Sequence, residues 1–249
     1  GTIGDIGVFS FNFHKHIQSG EGGMAVTNNK RYAYRAALAR NHGEVAVDDW
    51  AGRGKFFREP IIGSNYRLTE IQAAILSAQL KKLSGLNRKR ILLANYLAQK
   101  LKQFPWLKPA DVLPESRHVY YLYPIKFFRK KLGISRKTFA KAMAAEGFEL
   151  EEGYQKPLYL LRSYQRKQIY PHSHFPFISR EYPQKVNYRA GICPVAERMY
   201  QEELLVTNLW QPPKTKKTVD LFVRALEKIE RNIEALKTYE RERIVSRQT

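Results

Sequence analysis

The sequence predicts a mixed α/β fold in two parts, and three patterns carry that prediction. A pair of short apolar runs flanks a glycine turn near the N-terminus, and helical segments follow. Pro105 and Pro109 then bracket a linker. Beyond it come a strand, a helix, a second strand and a final helix, a second α/β set. A chain of 249 residues has enough material for one large core or two smaller ones.

In chain order, a short apolar strand runs into Phe9-Ser10-Phe11-Asn12-Phe13-His14-Lys15-His16, and Ser19-Gly20-Glu21-Gly22-Gly23-Met24 turns it into a second strand at Ala25-Val26-Thr27. A helix is predicted from about Lys30 to Asn41, then a loop rich in Gly, Asp and aromatics from His42 to Ser64. The Thr69 hydroxyl is placed to cap the next helix, on which Ile71, Ala74, Ile75 and Ala78 recur at helical spacing and predict a buried stripe. After a break at Ser84-Gly85, another helix is expected from roughly Leu86 to Gln103. The second part opens with a Val- and Tyr-rich strand from His118 to Phe127. Ser135 caps a helix that Gly147 stops, and a strand follows at Phe148 to Glu151. Tyr154 to Asn187, rich in proline and aromatics, reads as a long loop. A final helix from Thr218 carries Phe222, Leu226, Ile229, Ile233 and Leu236 on one face, and the charged tail after Tyr239 is expected to fray.

Lys15 is the most informative residue for chemistry. It stands at a strand end, with a hydroxyl, Ser10, five residues before it and a glycine turn after it. A lysine amine can form a Schiff base with an aldehyde such as that of pyridoxal phosphate (PLP), and a serine hydroxyl can hold a phosphate. Glycines let backbone approach a ligand or adopt positive φ. Spacing alone leaves the plain alternative open, a solvated lysine beside a tight turn.

Three ordered blocks resolve that choice. Gly4-Asp5-Ile6-Gly7-Val8-Phe9-Ser10-Phe11…Lys15…Gly20-Glu21-Gly22-Gly23 resembles the lysine region of the DegT/DnrJ/EryC1/StrS aminotransferases, PLP-dependent enzymes of sugars and cyclitols. Gly63-Ser64-Asn65-Tyr66-Arg67 resembles the family's Gly-x-Asn-Tyr-Arg block, and Cys193-Pro194-Val195-Ala196-Glu197-Arg198 its Pro-Val-Ala-Glu-Arg block. The resemblance implies the C-terminal part of a type I aminotransferase large domain at residues 1–108, followed by the smaller α/β domain at 109–249. It implies PLP as cofactor, with Lys15 as the Schiff-base and proton-transferring residue and Ser10 as a phosphate ligand. Asn65 is implied to reach the phosphate held by the partner subunit of a homodimer. The expected reaction moves an amino group from glutamate or glutamine to a keto-sugar, nucleotide-linked, or to a keto-cyclitol. The Cys193 block leans toward the cyclitol branch. Arg67 lines the site or pairs within the interface.

The alternatives come from the same resemblance. Some relatives are dehydratases with histidine at the lysine position, which Lys15 disfavours; neither flanking histidine, His14 or His16, is assigned a role, nor is His118. The family's segment before the lysine block carries the ring-stacking aromatic and the aspartate for the pyridine nitrogen. The chain therefore reads as part of a longer enzyme and is expected not to transaminate alone, and a non-catalytic fragment or binding module is the competing reading.

Composition sets the remaining limits. Hydrophobic residues at 43% and aromatics at 12% describe a globular chain. Cys193 is the only cysteine, so no intrachain disulfide forms, and no run approaches the ~20 apolar residues of a membrane span. These features lead to the expectation of a cytoplasmic protein with no membrane partner. The net charge of +20 is scattered over helices and loops rather than gathered in a nucleic-acid-binding motif, and no zinc-ligand spacing occurs. Neither nucleic acid nor metal is expected, and part of the excess charge suits anionic substrates.

Overall fold

The structure is a computed structural model that describes residues 1–43, 61–179, 186–209 and 211–245. It divides into two compact units, Gly1–Arg88 and Lys89–Thr249.

The first unit is built on a hairpin. Strands β1 (Gly7–Ser10) and β2 (Gly23–Val26) pair antiparallel, with Gly7 opposite Val26 and Ser10 opposite Gly23. Helix α1 (Lys30–Arg40) starts at Asn29, whose side chain accepts from the backbone of Arg31 and Tyr32. Helix α2 (Glu70–Leu80) starts at Thr69 with a capping box closed by Gln72, as the sequence leads one to expect. The predicted stripe is different. Ile71 and Ile75 are 75% and 44% exposed, and Leu76 is the buried residue of α2. The inward face is Gln72, Leu76 and Gln79, rotated by one residue from the isoleucines. The reason is polar: both glutamines bond the hairpin loop. Of the long loop expected between His42 and Ser64, residues 44–60 lie outside the described residues.

Helix α3 (Leu83–Leu101) turns Leu93, Ala94, Leu97 and Leu101 into the core of the second unit. Four antiparallel strands follow in the order β3-β4-β6-β5: β3 (Leu107–Pro109), β4 (Tyr123–Phe127), β5 (Glu151–Glu152) and β6 (Leu204–Thr207). Period-two alternation places Tyr123, Ile125 and Phe127 of β4 inside. Trp106 stands edge-on to Phe139 at 5.2 Å, and Phe127 stacks on Phe139 at 5.1 Å. Between β4 and β6 come α4 (Arg129–Leu132), α5 (Arg136–Ala145), a 3-10 turn at Leu158–Leu160, α6 (Arg162–Arg166) and α7 (Pro194–Arg198). A wide helical turn, Met199–Glu203, leads into β6, and α8 (Lys216–Arg231) and α9 (Ile233–Val245) close the chain.

Several expectations are corrected. The strand from His118 contracts to Tyr123–Phe127, because Tyr120 takes a positive φ of 54° and donates its backbone N–H to His118 Nδ1 at 2.9 Å. The strand at Phe148–Glu151 moves to Glu151–Glu152, on β6. Strands β3, inside the predicted linker, and β6 carry no strong alternation and escape the sequence reading. The final helix breaks at Asn232, whose side chain donates to Lys228 O at 2.8 Å, so Ile233 and Leu236 belong to α9. That helix also continues past Tyr239, where fraying was expected.

Two charged side chains fasten the second unit. Buried Arg136 spreads its guanidinium over the carbonyls of Tyr200, Gln201 and Leu204 at 2.9–3.0 Å, satisfying the wide turn before β6. Glu240 of α9 accepts from Ser135 N at 3.0 Å and from Thr138 Oγ1 at 2.6 Å, capping α5 from outside. Burial pushes the Glu240 carboxyl up; the bonds from Ser135 and Thr138, with the nearby Arg129 charge, outweigh it and hold the pKa below its ordinary 4.5. A carboxyl depressed on folding stabilises above its unfolded pKa and loses that stabilisation as pH falls through the folded value. Glu240→Gln is therefore expected to cost about 1.5 kcal/mol near pH 7. The difference from the wild type should close as pH falls below 4.5 and through the depressed folded value, which denaturant titration from neutral into acid checks.

Candidate functional site

The hairpin loop from Phe11 to Gly22 is where local sequence and chemistry meet. Past Ser10 the two strands no longer form a ladder, and the loop's polar groups must find other partners. Some are internal: Phe11 N donates to Gly22 O at 2.9 Å, Lys15 N to Asn12 O at 2.8 Å and Ser19 N to Phe11 O at 3.1 Å. The Asn12 side chain accepts from His14 N at 3.2 Å and donates to Glu21 Oε1 at 2.7 Å, across the base of the loop. The remaining partners are on α2. Gln79 bonds both backbone groups of Gln18, accepting from its N–H at 3.0 Å and donating to its carbonyl at 2.6 Å. Gln72 donates to Glu21 O at 2.9 Å while its oxygen accepts from Thr69 N at 3.1 Å. Gly22 has a φ of 151°, and a Cβ there would stand 3.0 Å from Leu68 Cδ1.

This loop carries Lys15 at its head, half-buried, with Ser10 exposed at the end of β1. The Ser10 hydroxyl oxygen accepts from Asn12 N at 3.3 Å. Both sequence-predicted residues thus share one hairpin, and beside the lysine Phe13 packs on the His14 ring at 3.7 Å between centroids. Asn65 occupies another part of the unit, bridged to Asn41. Its side-chain oxygen accepts from Arg67 N at 3.3 Å, and Arg67 in turn donates to the buried Asn41 side chain. Arg67 is therefore spent on internal structure. The exposed Asn65 carboxamide keeps its N–H donors unused among the described residues.

Cys193 is exposed and starts α7. Its block instead contributes Glu197, which accepts from the Tyr159 hydroxyl and from Gly191 N at 2.7 Å. Burial and the Glu197 bond push the Tyr159 phenol up to about 12, and the phenol and the Gly191 amide hold the Glu197 carboxyl low. His118, exposed, is engaged with Tyr120. Sequence reasoning missed Gln72 and Gln79. Their spacing of seven, two helical turns, was the available signal. Among the described residues no cluster suits a metal ion, and no helix is long and apolar enough to cross a membrane.

The chain is similar to known aminotransferases in sequence and in fold. The family model of the DegT/DnrJ/EryC1/StrS aminotransferases matches residues 1–204. A putative L-glutamine:3-amino-2,3-dideoxy-scyllo-inosose aminotransferase of Micromonospora echinospora is 30% identical, over 95% of this chain and 55% of its own length. The UDP-4-amino-4,6-dideoxy-N-acetyl-beta-L-altrosamine transaminase of Helicobacter pylori is 33% identical, over 64% of this chain and 40% of its own. The fold matches the aminotransferase from Psychrobacter cryohalolentis with a TM-score of 0.72 at 23% identity, covering 94% of this chain and 58% of that one. The chain thus spans about half the length of the relatives it matches.

The glutamine clamp has a measurable consequence. Gln79→Ala removes the acceptor of the Gln18 N–H, a bond worth about 1 kcal/mol. Hydrogen exchange at that amide is expected to quicken about fivefold with the helical circular dichroism unchanged. Unaltered exchange would show that the loop holds its own shape.

Proposed function

This chain belongs to the DegT/DnrJ/EryC1/StrS aminotransferase family, which is PLP-dependent, and from that premise we propose that it carries the lysine part of a PLP site. In this reading the whole enzyme transfers an amino group from glutamate or glutamine to a keto-cyclitol or a nucleotide-linked keto-sugar. Residues 1–108 form the lysine-bearing part of the large domain and 109–249 the small domain. The observation that supports it most is Lys15 on a hairpin clamped to α2, with Ser10 on the adjoining strand.

The residues present suit the cofactor. An amine and a hydroxyl share a hairpin whose Gly22 has a positive φ, and where a Cβ would stand 3.0 Å from Leu68 Cδ1. That donor set fits one aldehyde and one phosphate. The chemistry PLP supplies when bound is electron withdrawal from the carbon that bears the amino group. The protein's share is positional. Lys15 Nζ would hold the cofactor covalently, and once freed the same amine would serve as the base that takes the proton from that carbon. Ser10 Oγ donates to a phosphate oxygen, and the Asn65 N–H donors serve the phosphate of the partner subunit in a two-fold dimer.

Borohydride treatment of the PLP-loaded full-length parent is expected to fix the cofactor on Lys15, located by peptide mapping, and Lys15→Ala to abolish turnover. A label on another lysine would overturn the assignment. No covalent cofactor at all would favour the non-catalytic module.

Asn65→Ala is expected to loosen PLP retention about tenfold while leaving the fold intact, because besides the phosphate donors it removes one long, exposed bond from Arg67 N. An active parent that sediments as a monomer would remove the basis of that role.

A further inference from the structure

In the second unit, residues of α4, α5 and α9 line a cavity of about 180 Å³. Four cations face it, Arg129, Lys137, Lys141 and Arg243, against one carboxylate, Glu240. That carboxylate is already committed to Ser135 N and Thr138 Oγ1, so the start of α5 is filled from within. Lys137 and Lys141 stand one turn apart on α5, both exposed, and neither forms an ion pair among the described residues. The Arg243 guanidinium is braced, 5.6 Å over the Tyr239 ring and 2.7 Å from its hydroxyl. Like charges one turn apart repel, and four gathered around a single hollow raise that cost unless an anion enters.

We propose that this cavity binds a phosphate-bearing small molecule by its diphosphate group, through residues of the second unit alone. Size selects the headgroup, since whole ligands of ordinary size occupy roughly 300–1,000 Å³ and this hollow holds only the charged end. Chemistry selects the oxyanion. Arginine offers paired N–H donors and the lysines add point charges, while the one carboxylate in the lining, Glu240, is held by Ser135 N and Thr138 Oγ1. A nucleic-acid strand is less well matched. It needs a track of stacking rings, and the one ring here, Tyr239, is occupied by Arg243.

The full chain would be titrated with pyrophosphate by calorimetry at two salt concentrations. Expected are saturable binding that weakens with salt, and a loss of about tenfold or more in Lys137→Ala/Lys141→Ala. Ser10→Ala and Lys15→Ala should leave the affinity unchanged, which separates failure of this site from failure of the cofactor reading. Thermal melting checks that the double variant folds, and Arg243→Ala, which leaves α5 untouched, should weaken binding as well. No saturation by about 10 mM, or binding indifferent to both variants, would overturn the proposal. Displacement of pyrophosphate by a single-stranded RNA at far lower concentration would also overturn it, in favour of a nucleic-acid surface.

Discussion

A loop that leaves a two-stranded hairpin cannot satisfy its own backbone, and that constraint organises the first unit. Between Phe11 and Gly22 the ladder is gone, and the loop carries Lys15 at its head. Helix α2 supplies what is lacking through Gln72 and Gln79, two turns apart on one face. Gln72 serves two ends at once, because the same carboxamide closes the cap at Thr69. The start of the helix and the position of the loop are thereby one structural decision. Replacing Gln79 with an apolar residue would take both partners from the half-buried peptide groups of Gln18, a larger penalty than either bond is worth, whereas the exposed Glu21 carbonyl keeps the Ser19 hydroxyl if Gln72 is replaced.

Much of this was legible in the chain, and the parts that were not share a physical cause. Caps read well. Asn29 was not singled out, but Thr69 and Ser135 announced helix starts, and Gly147 a stop, through side-chain oxygens and backbone freedom that act within four residues. The strand, glycine turn and strand that carry the lysine and the serine were legible because a hairpin is local in sequence. The stripe of Ile71, Ala74, Ile75 and Ala78 misled, since apolar periodicity marks a face without saying what lies against it, and here carboxamides took the inward position. Strands β3 and β6 were missed because their partners come from distant sequence, and three or four residues hold too little alternation to be seen alone. The end of α9 was likewise settled by a tertiary bond, from Glu240 to residues a hundred positions earlier.

The second unit meets the same problem with charge instead of carboxamide. The wide turn before β6 exposes several carbonyls to the interior, and one buried guanidinium, Arg136, collects them. The aromatic segment that follows the sheet's β5 edge is held in a comparable manner. Glu197 joins Tyr159 to Gly191, and the Gln165 side chain donates to the carbonyls of Tyr159 and Tyr188. Tyr164, Phe177 and Tyr188 then meet edge to face, with centroids 5.3–5.9 Å apart. The Cys193 block matters in this fold for the carboxylate four residues after the thiol, which is why the lone cysteine was the less informative part of it.

The bridge between Asn41 and Asn65 has an implication for how the chain tolerates change. His42 N donates to Ser64 O, and Ser64 and Tyr66 donate back to Ala39 and Arg40, so the backbone leaves α1 and rejoins it at a single sealed point. Arg67 adds a side-chain rivet to the same seam. The peptide groups on both sides of the seam are thereby satisfied by one another, where α1 ends and where the chain leads toward α2. A change that opens this seam therefore disturbs the end of α1 and the lead into α2 together.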